Sequence, residues 1–153
     1  MSGLVVIGYD GSPDAAHAVD FAAARLGARA AVVVNVWATS LPAVEIDRPL
    51  GALPAPSLEQ DAGLERAALE TAEQGAARAR AAGLAAEPEI RRGTGAGQIA
   101  SCLLDVADER DADLLVVGHR GMGRIRTAVL GSVAEAAVRE ARRPVLVVPA
   151  PDA

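Results

Sequence analysis

Gly118-His119-Arg120-Gly121 is followed, after a spacer of nine residues, by Gly131-Ser132. The glycines permit close approach of the backbone to a ligand. A helix start after Gly131 would offer unpaired N–H groups and the positive end of the helix dipole, which together favour an anion. Ser132 adds a hydroxyl donor, and Arg120, Arg124 and Arg126 add positive charge to a stretch, Gly118 to Gly131, that contains no acid. The chemistry such a set suits is phosphate binding. A strand-to-helix connection is ordinarily roughly two to six residues, and this one is about twice that length. Ser132-Val133-Ala134-Glu135 also fits the S-x-x-E capping box, so spacing alone leaves two readings open: a phosphate cradle, or a long loop closed by a well-capped helix.

A second candidate lies near the start of the chain, at Asp10-Gly11-Ser12-Pro13. Ser12 reads as a hydroxyl N-cap with Pro13 at the first helical position. Asp10, two residues earlier, is then not required to start the helix and leaves a carboxylate at a strand's carboxyl end, either for a ligand or as an ordinary turn residue. Gly95-Ala96-Gly97-Gln98-Ile99-Ala100 fits G-x-G-x-x-A, but no acid closes the following strand as a dinucleotide fingerprint needs. His17 and His119 lie far apart, with no ligand spacing for zinc. His17 reads as a helix residue and Cys102 as a small buried apolar one. No Ser/His/Asp or Cys/His arrangement stands out.

Composition closes several classes. The 15 basic residues are all Arg, which excludes the P-loop, protein-kinase and Schiff-base chemistries that require a Lys. Net charge is −5 and aromatics make up 2% of the chain, which argues against nucleic-acid binding by a basic surface or by stacking. With the three loop arginines set aside, 12 basic face 20 acidic residues. A local cationic loop on an acidic protein suits a small anion better than a polymer. A single cysteine excludes an internal disulfide. The longest uncharged run, Ala30 to Val44, is too short to span a membrane, and the amino terminus lacks the features of a signal peptide. These points lead us to expect a soluble, cytoplasmic chain with one domain over residues 1–153.

The elements that must position these residues follow from the hydrophobic pattern. Leu4–Tyr9, Ala31–Trp37, Ala86–Arg91, Asp113–Val117 and Pro144–Pro149 read as strands, with Pro88 placing the third at an edge. Helices are expected from Ser12-Pro13 to about Leu26, Leu58 to about Ala82, Gly95–Arg110 and Ser132–Ala141. In the second of these, Leu58, Ala62, Leu69, Ala72 and Ala76 form an apolar stripe. Thr39 to Ser57, with four prolines, reads as a long irregular segment suited to a lid or binding loop. Apolar strands alternating with amphipathic helices imply an α/β, doubly wound parallel sheet with helices on both faces.

Gly118-x2-Gly121-x9-Gly131-Ser132 resembles the nucleotide-binding signature of the universal stress protein family. Val5-Val6-Ile7-Gly8-Tyr9-Asp10-Gly11-Ser12 and Arg143-Pro144-Val145-Leu146-Val147-Val148-Pro149 resemble its first and last strands. The resemblance covers essentially the whole chain. It implies a Rossmann-like nucleotide-binding fold, a five-stranded parallel sheet in the order 3-2-1-4-5, with ATP across the carboxyl ends of the first and fourth strands. By that likeness Asp10 contacts the ribose or a metal-bound water, and the backbone of Val36 reads adenine. Gly118 and Gly121 line the ribose and phosphates, and Gly131, Ser132 and Val133 hold the β- and γ-phosphates. Gly11, Ser12, His119 and Arg120 complete the expected nucleotide-binding set, with ATP and Mg2+ as the cargo. The family's last strand often pairs with its copy, which implies a homodimer through Val145–Val148. In a monomer this apolar strand would be a bare edge.

With no evident catalytic base beyond Asp10 and His119, the set points to a stress-response or signalling module that binds ATP rather than to a dedicated enzyme. The alternatives are a slow ATPase on the same site and a protein for AMP or cyclic AMP.

Overall fold

The computed structural model describes residues 3–26, 30–38, 58–93, 98–120, 130–149 and 151. The chain runs β1 (Leu4–Gly8), α1 (Pro13–Arg25), β2 (Ala30–Ala38), α2 (Leu58–Ala81), β3 (Ala85–Gly93), α3 (Ile99–Glu109), β4 (Leu114–Gly118), α4 (Ser132–Glu140) and β5 (Val145–Val148). The strands form one parallel sheet in the order β3-β2-β1-β4-β5. This agrees with the doubly wound α/β arrangement expected from the pattern and with the order implied by the resemblance.

β1 occupies the centre because it is apolar on both faces. Val5 and Ile7 pack with Val19 and Ala22 of α1 and Ala76 and Ala79 of α2. Val6 faces the other way, toward Leu103 and Val106 of α3 and Ala134 of α4. Burial of a side chain such as Ile7 stabilises the fold by roughly 1.5–3 kcal/mol. Strand order reverses between β1 and β4, where Val5 lies opposite Leu114 and Ile7 opposite Val116. In sheets of this kind the crevice at that reversal, at the carboxyl ends of the strands, is where ligands bind.

The expected stripe on α2 holds only in its second half. Ala68, Ala72, Gly75, Ala76 and Ala79 are buried, whereas Leu58 is 89% exposed, Leu69 is 49% exposed, and Ala62 is also exposed. The inward face consists of small residues because the helix lies very close to the sheet. A Cβ on Gly75 would come within 2.7 Å of Val33 Cγ1 and 2.8 Å of the Tyr9 ring. Arg78 of α2 also donates two hydrogen bonds of 2.7 Å to Asp20 of α1. That pairing holds the Asp20 carboxyl below its ordinary value, so its small contribution is present at neutral pH and is lost as pH falls through the lowered value.

The two sheet edges differ in kind. β3 carries Pro88 and a set of ion pairs, with Arg110 to Glu87 and Glu89 at 2.7 and 2.6 Å and Arg91 to Glu89 at 2.6 Å. Proline and charge are the usual guards of an edge strand. β5 is Val145-Leu146-Val147-Val148, apolar throughout.

The close seating of α2 gives opposite signs for two glycines of the same helix. Gly75→Val is expected to lower the unfolding free energy by about 1–3 kcal/mol through overpacking. Gly63 has nothing within 4 Å of a built Cβ, so Gly63→Ala is expected to raise it by about 1 kcal/mol through helix propensity. Urea unfolding of the two variants checks both, and equal shifts would contradict this packing.

Candidate functional site

At the carboxyl end of β1, pairing with β2 continues one step beyond the strand. The Tyr9 N–H donates to the Val34 carbonyl at 2.8 Å, and Asn35 Nδ2 donates to the Tyr9 carbonyl at 2.9 Å. The chain then turns at Gly11, whose φ of +81° lies in the left-handed region that glycine tolerates. Ser12 is the N-cap of α1, and its Oγ accepts from the Ala15 N–H at 3.2 Å. The cap was expected, and its consequence is that the Ser12 side chain is buried and committed to the helix. Asp10 is exposed. Contrary to the expectation that the helix start makes no use of it, its Oδ1 accepts from the Ser12 N–H at 2.9 Å, an Asx turn that orients the cap.

At the carboxyl end of β4, three successive polar groups bond to three different elements. The His119 N–H donates to the Val148 carbonyl of β5 at 2.8 Å, and the His119 carbonyl accepts from the Gly131 N–H at 2.9 Å. The Arg120 N–H donates to Asp14 Oδ2 of α1 at 3.0 Å. His119 Nδ1 and Arg120 Nε are buried without a hydrogen-bond partner among the described residues; the latter lies 3.7 Å from Asp14 Oδ2, within ion-pair range. Gly118 is held against α1, where a Cβ would meet the Asp14 backbone carbon at 2.9 Å and the Ala15 nitrogen at 3.0 Å. Its lack of a side chain thus serves helix packing.

The capping box that the sequence left open at Ser132 is not formed. Gly131 is the N-cap of α4, in an extended conformation, and Ser132 is the first helical residue. The Glu135 N–H donates to the Gly131 carbonyl at 2.9 Å. The Ser132 hydroxyl is therefore exposed rather than spent on a cap, and the first N–H groups of a helix have no intrahelical acceptor. A Cβ on Gly131 would come within 2.9 Å of the His119 carbonyl oxygen and 3.3 Å of Arg120 Cα, so glycine here allows the helix start to return to the end of β4. Val133 packs into the layer shared with α3.

The topology thus brings Asp10, Gly11 and Ser12, from the end of β1, next to Gly118, His119 and Arg120, from the end of β4. The contact of Gly131 with His119 adds Ser132 and Val133. Val36 lies near the carboxyl end of β2, on the other side of β1, half-buried and opposite Arg91 of β3. Gly121, Arg124, Arg126, Gly95 to Gly97 and Thr39 to Ser57 lie outside the described residues.

Two neighbours of the site were not read from the sequence. Asp14, 8% exposed, is an acid in the first turn of α1, and nothing local signals its reach to a residue 106 positions away. Arg92 stacks over Trp37 at 5.2 Å from the ring centroid and pairs with Asp61 at 2.9 Å. Cys102 is half-buried on α3, and burial pushes its thiol up, the opposite of what activates a thiolate. Among the described residues no group of three or more His, Cys, Asp or Glu is placed to hold a metal ion. None of their helices is long and apolar enough to cross a membrane.

Comparison with known proteins follows the same lines. A protein from the universal stress protein family from Burkholderia pseudomallei is 29% identical, with 97% of each chain covered and a TM-score of 0.68. A universal stress protein solved in complex with cAMP is 28% identical, with 97% of each chain covered and a TM-score of 0.63. The universal stress protein from Archaeoglobus fulgidus in complex with dAMP is 26% identical, with 95% of each chain covered and a TM-score of 0.61. No curated protein matches the sequence. The universal stress protein family model matches residues 1–149, nearly the full length and all five strands; the chain belongs to the universal stress protein family.

Proposed function

We propose that this protein is a stress-response or signalling module that binds an adenine nucleotide, ATP with Mg2+, at the carboxyl ends of β1 and β4. The observation that carries this reading is the return of Gly131 to the His119 carbonyl. It sets the N-terminus of α4, with the exposed Ser132 at its first position, beside the loop that leaves β4. His119 Nδ1, buried there without a hydrogen-bond partner among the described residues, is the kind of group a phosphate oxygen satisfies when that nitrogen carries the proton. The cAMP and dAMP complexes of two relatives support an adenine nucleotide as the class.

In this reading Ser132 and Val133 offer a hydroxyl and backbone N–H groups to the phosphates, while Arg120 and His119 add positive charge and a donor. Gly11 and the Ser12 backbone keep the floor of the crevice low, Gly118 and Gly121 line its wall, and the backbone of Val36 reads the base. Asp10, exposed at the end of β1, turns its carboxylate to the ribose or to a water of the Mg2+ that the phosphates hold. That single carboxylate fits a metal that arrives with the nucleotide rather than one held by the protein alone. The bound state acts through its shape, and pairing of two copies along the apolar edge of β5 would carry the signal across a homodimer. The monophosphates bound by the two relatives favour one second reading, in which AMP or cyclic AMP is the working ligand.

Trp37 follows Val36 and is the only tryptophan, so its emission reports on this end of the sheet. Titration with ATP and Mg2+ is expected to give a saturable change, weaker with AMP; a preference for AMP or cyclic AMP would favour the second reading. No change with any nucleotide, together with no retention in equilibrium dialysis, would refute both.

Ser132→Ala is expected to weaken ATP binding about 3- to 10-fold, the worth of one hydrogen bond, and to leave adenosine binding unchanged. Gly131→Val is expected to abolish ATP binding in a folded protein, because its side chain would push the start of α4 off the His119 carbonyl. Retention of wild-type ATP affinity by both variants in calorimetry would refute the assignment of the phosphate site.

A further inference from the structure

The carboxylate of Asp14 is nearly buried, and a buried carboxylate is costly without partners. Its place at the second position of α1 follows from Pro13 at the first. An acid there favours the helix dipole, but an exposed acid would do so equally well, so the dipole does not account for its burial against β4. Its partners do: the Arg120 N–H at 3.0 Å and Arg120 Nε at 3.7 Å. Gly118 provides the space, since a Cβ there would meet the Asp14 Cβ at 2.9 Å.

We propose that Asp14 is the positioning residue of the phosphate site, fixing the direction in which the β4–α4 loop departs by holding the Arg120 amide. This inference rests on the proposed nucleotide site and adds to it a residue that does not itself touch the ligand. The backbone after Gly118 is tied down in two directions. β5 holds it through the His119 N–H, and α1 holds it through the Arg120 N–H. Between those two ties lies the His119 carbonyl on which Gly131, and with it the start of α4, is seated. Loss of the α1 tie leaves the peptide that carries this carbonyl anchored from one side only, and the anion-binding helix start loses its fixed seat. The same carboxylate keeps the stem of the Arg120 side chain over α1.

The test compares Asp14→Ala with Asp14→Asn, which keeps an acceptor for the Arg120 amide but removes the charge. Affinities for ATP, AMP and adenosine are measured by calorimetry on the full-length protein. The proposal expects Asp14→Ala to lose about tenfold for ATP and AMP and to keep wild-type affinity for adenosine, with Asp14→Asn restoring most of the loss. Unchanged ATP affinity in Asp14→Ala would overturn it. So would an equal loss for adenosine, which marks a general structural defect, or an Asp14→Asn variant as weak as Asp14→Ala or tighter than wild type, which marks a charge effect. If Asp14→Ala does not fold, Asp14→Leu keeps the branched outline without the acceptors and takes its place. Amide hydrogen exchange without nucleotide separates this inference from the binding site itself. Faster exchange at Arg120 and Gly131 in Asp14→Ala, restored in Asp14→Asn, upholds the positioning role even where the wild type binds no nucleotide. Unchanged exchange at both amides overturns it.

Discussion

At Gly118 the chain leaves β4 against the first turn of α1, so closely that one added carbon would come within 2.9 Å of Asp14 and 3.0 Å of the Ala15 nitrogen. These are largely backbone atoms of a capped helix and cannot swing aside as a flexible side chain can. The contact joins the two halves of the doubly wound sheet at the point where strand order reverses. α1 begins directly after β1, and the loop to α4 begins directly after β4, so their starts are fixed relative to one another there. The buried Ser12 cap, the Asx turn at Asp10 and the tie between Asp14 and the Arg120 amide are all built around this approach.

The rest of the fold supports that corner. β1 is buried on both faces, which places it centrally and leaves its carboxyl end flanked by β2 and β4. α2 lies close enough to β2 for Gly75 to touch Val33 and Tyr9, and Tyr9 in turn bonds to β2 through its N–H and carbonyl. The edges are specialised: proline and arginine–carboxylate pairs close β3, while β5 is left apolar. Surface ion pairs of this type add little stability individually, and their value on β3 lies in discouraging strand pairing.

Much of this was legible in the sequence because it is written in local pattern. Continuous apolar runs marked four of the five strands, β3 with Glu87, Pro88 and Glu89 being weaker in pattern, and Ser12-Pro13 marked the start of α1. The glycines around His119 and before Ser132 marked a backbone that approaches something closely. What they approach could not be read locally. For Gly118 and Gly131 the structure shows other parts of the backbone, at α1 and at His119 and Arg120. The capping box at Ser132 failed because Gly131, already extended, supplies the cap position, and a pattern match cannot weigh two adjacent candidates. The stripe on α2 holds at Ala72 and Ala76 but not at Leu58, Ala62 and Leu69, because the period shows which residues share a helix face and not how far along the helix that face meets the sheet. Where it does meet the sheet, the helix sits too close for large side chains, and alanine and glycine take that face. Asp14 was not legible because its partner lies 106 residues away and only the fold brings them together.

The central claim is that the carboxyl end of the sheet, at the reversal between β1 and β4, is where an adenine nucleotide binds with its phosphates at the start of α4. Backbone amide chemical shifts of the labelled protein, recorded as ATP and Mg2+ are added, test it most directly. The account predicts that the largest changes fall on Asp10, Gly11, Val36, His119, Arg120, Ser132 and Val133. Another opening exists at the opposite, amino end of the strands, a cavity of about 510 Å3 lined in part by Leu4, Ala31, Ala86 and Arg110. Changes confined to those residues, or no saturable change anywhere, would contradict the account.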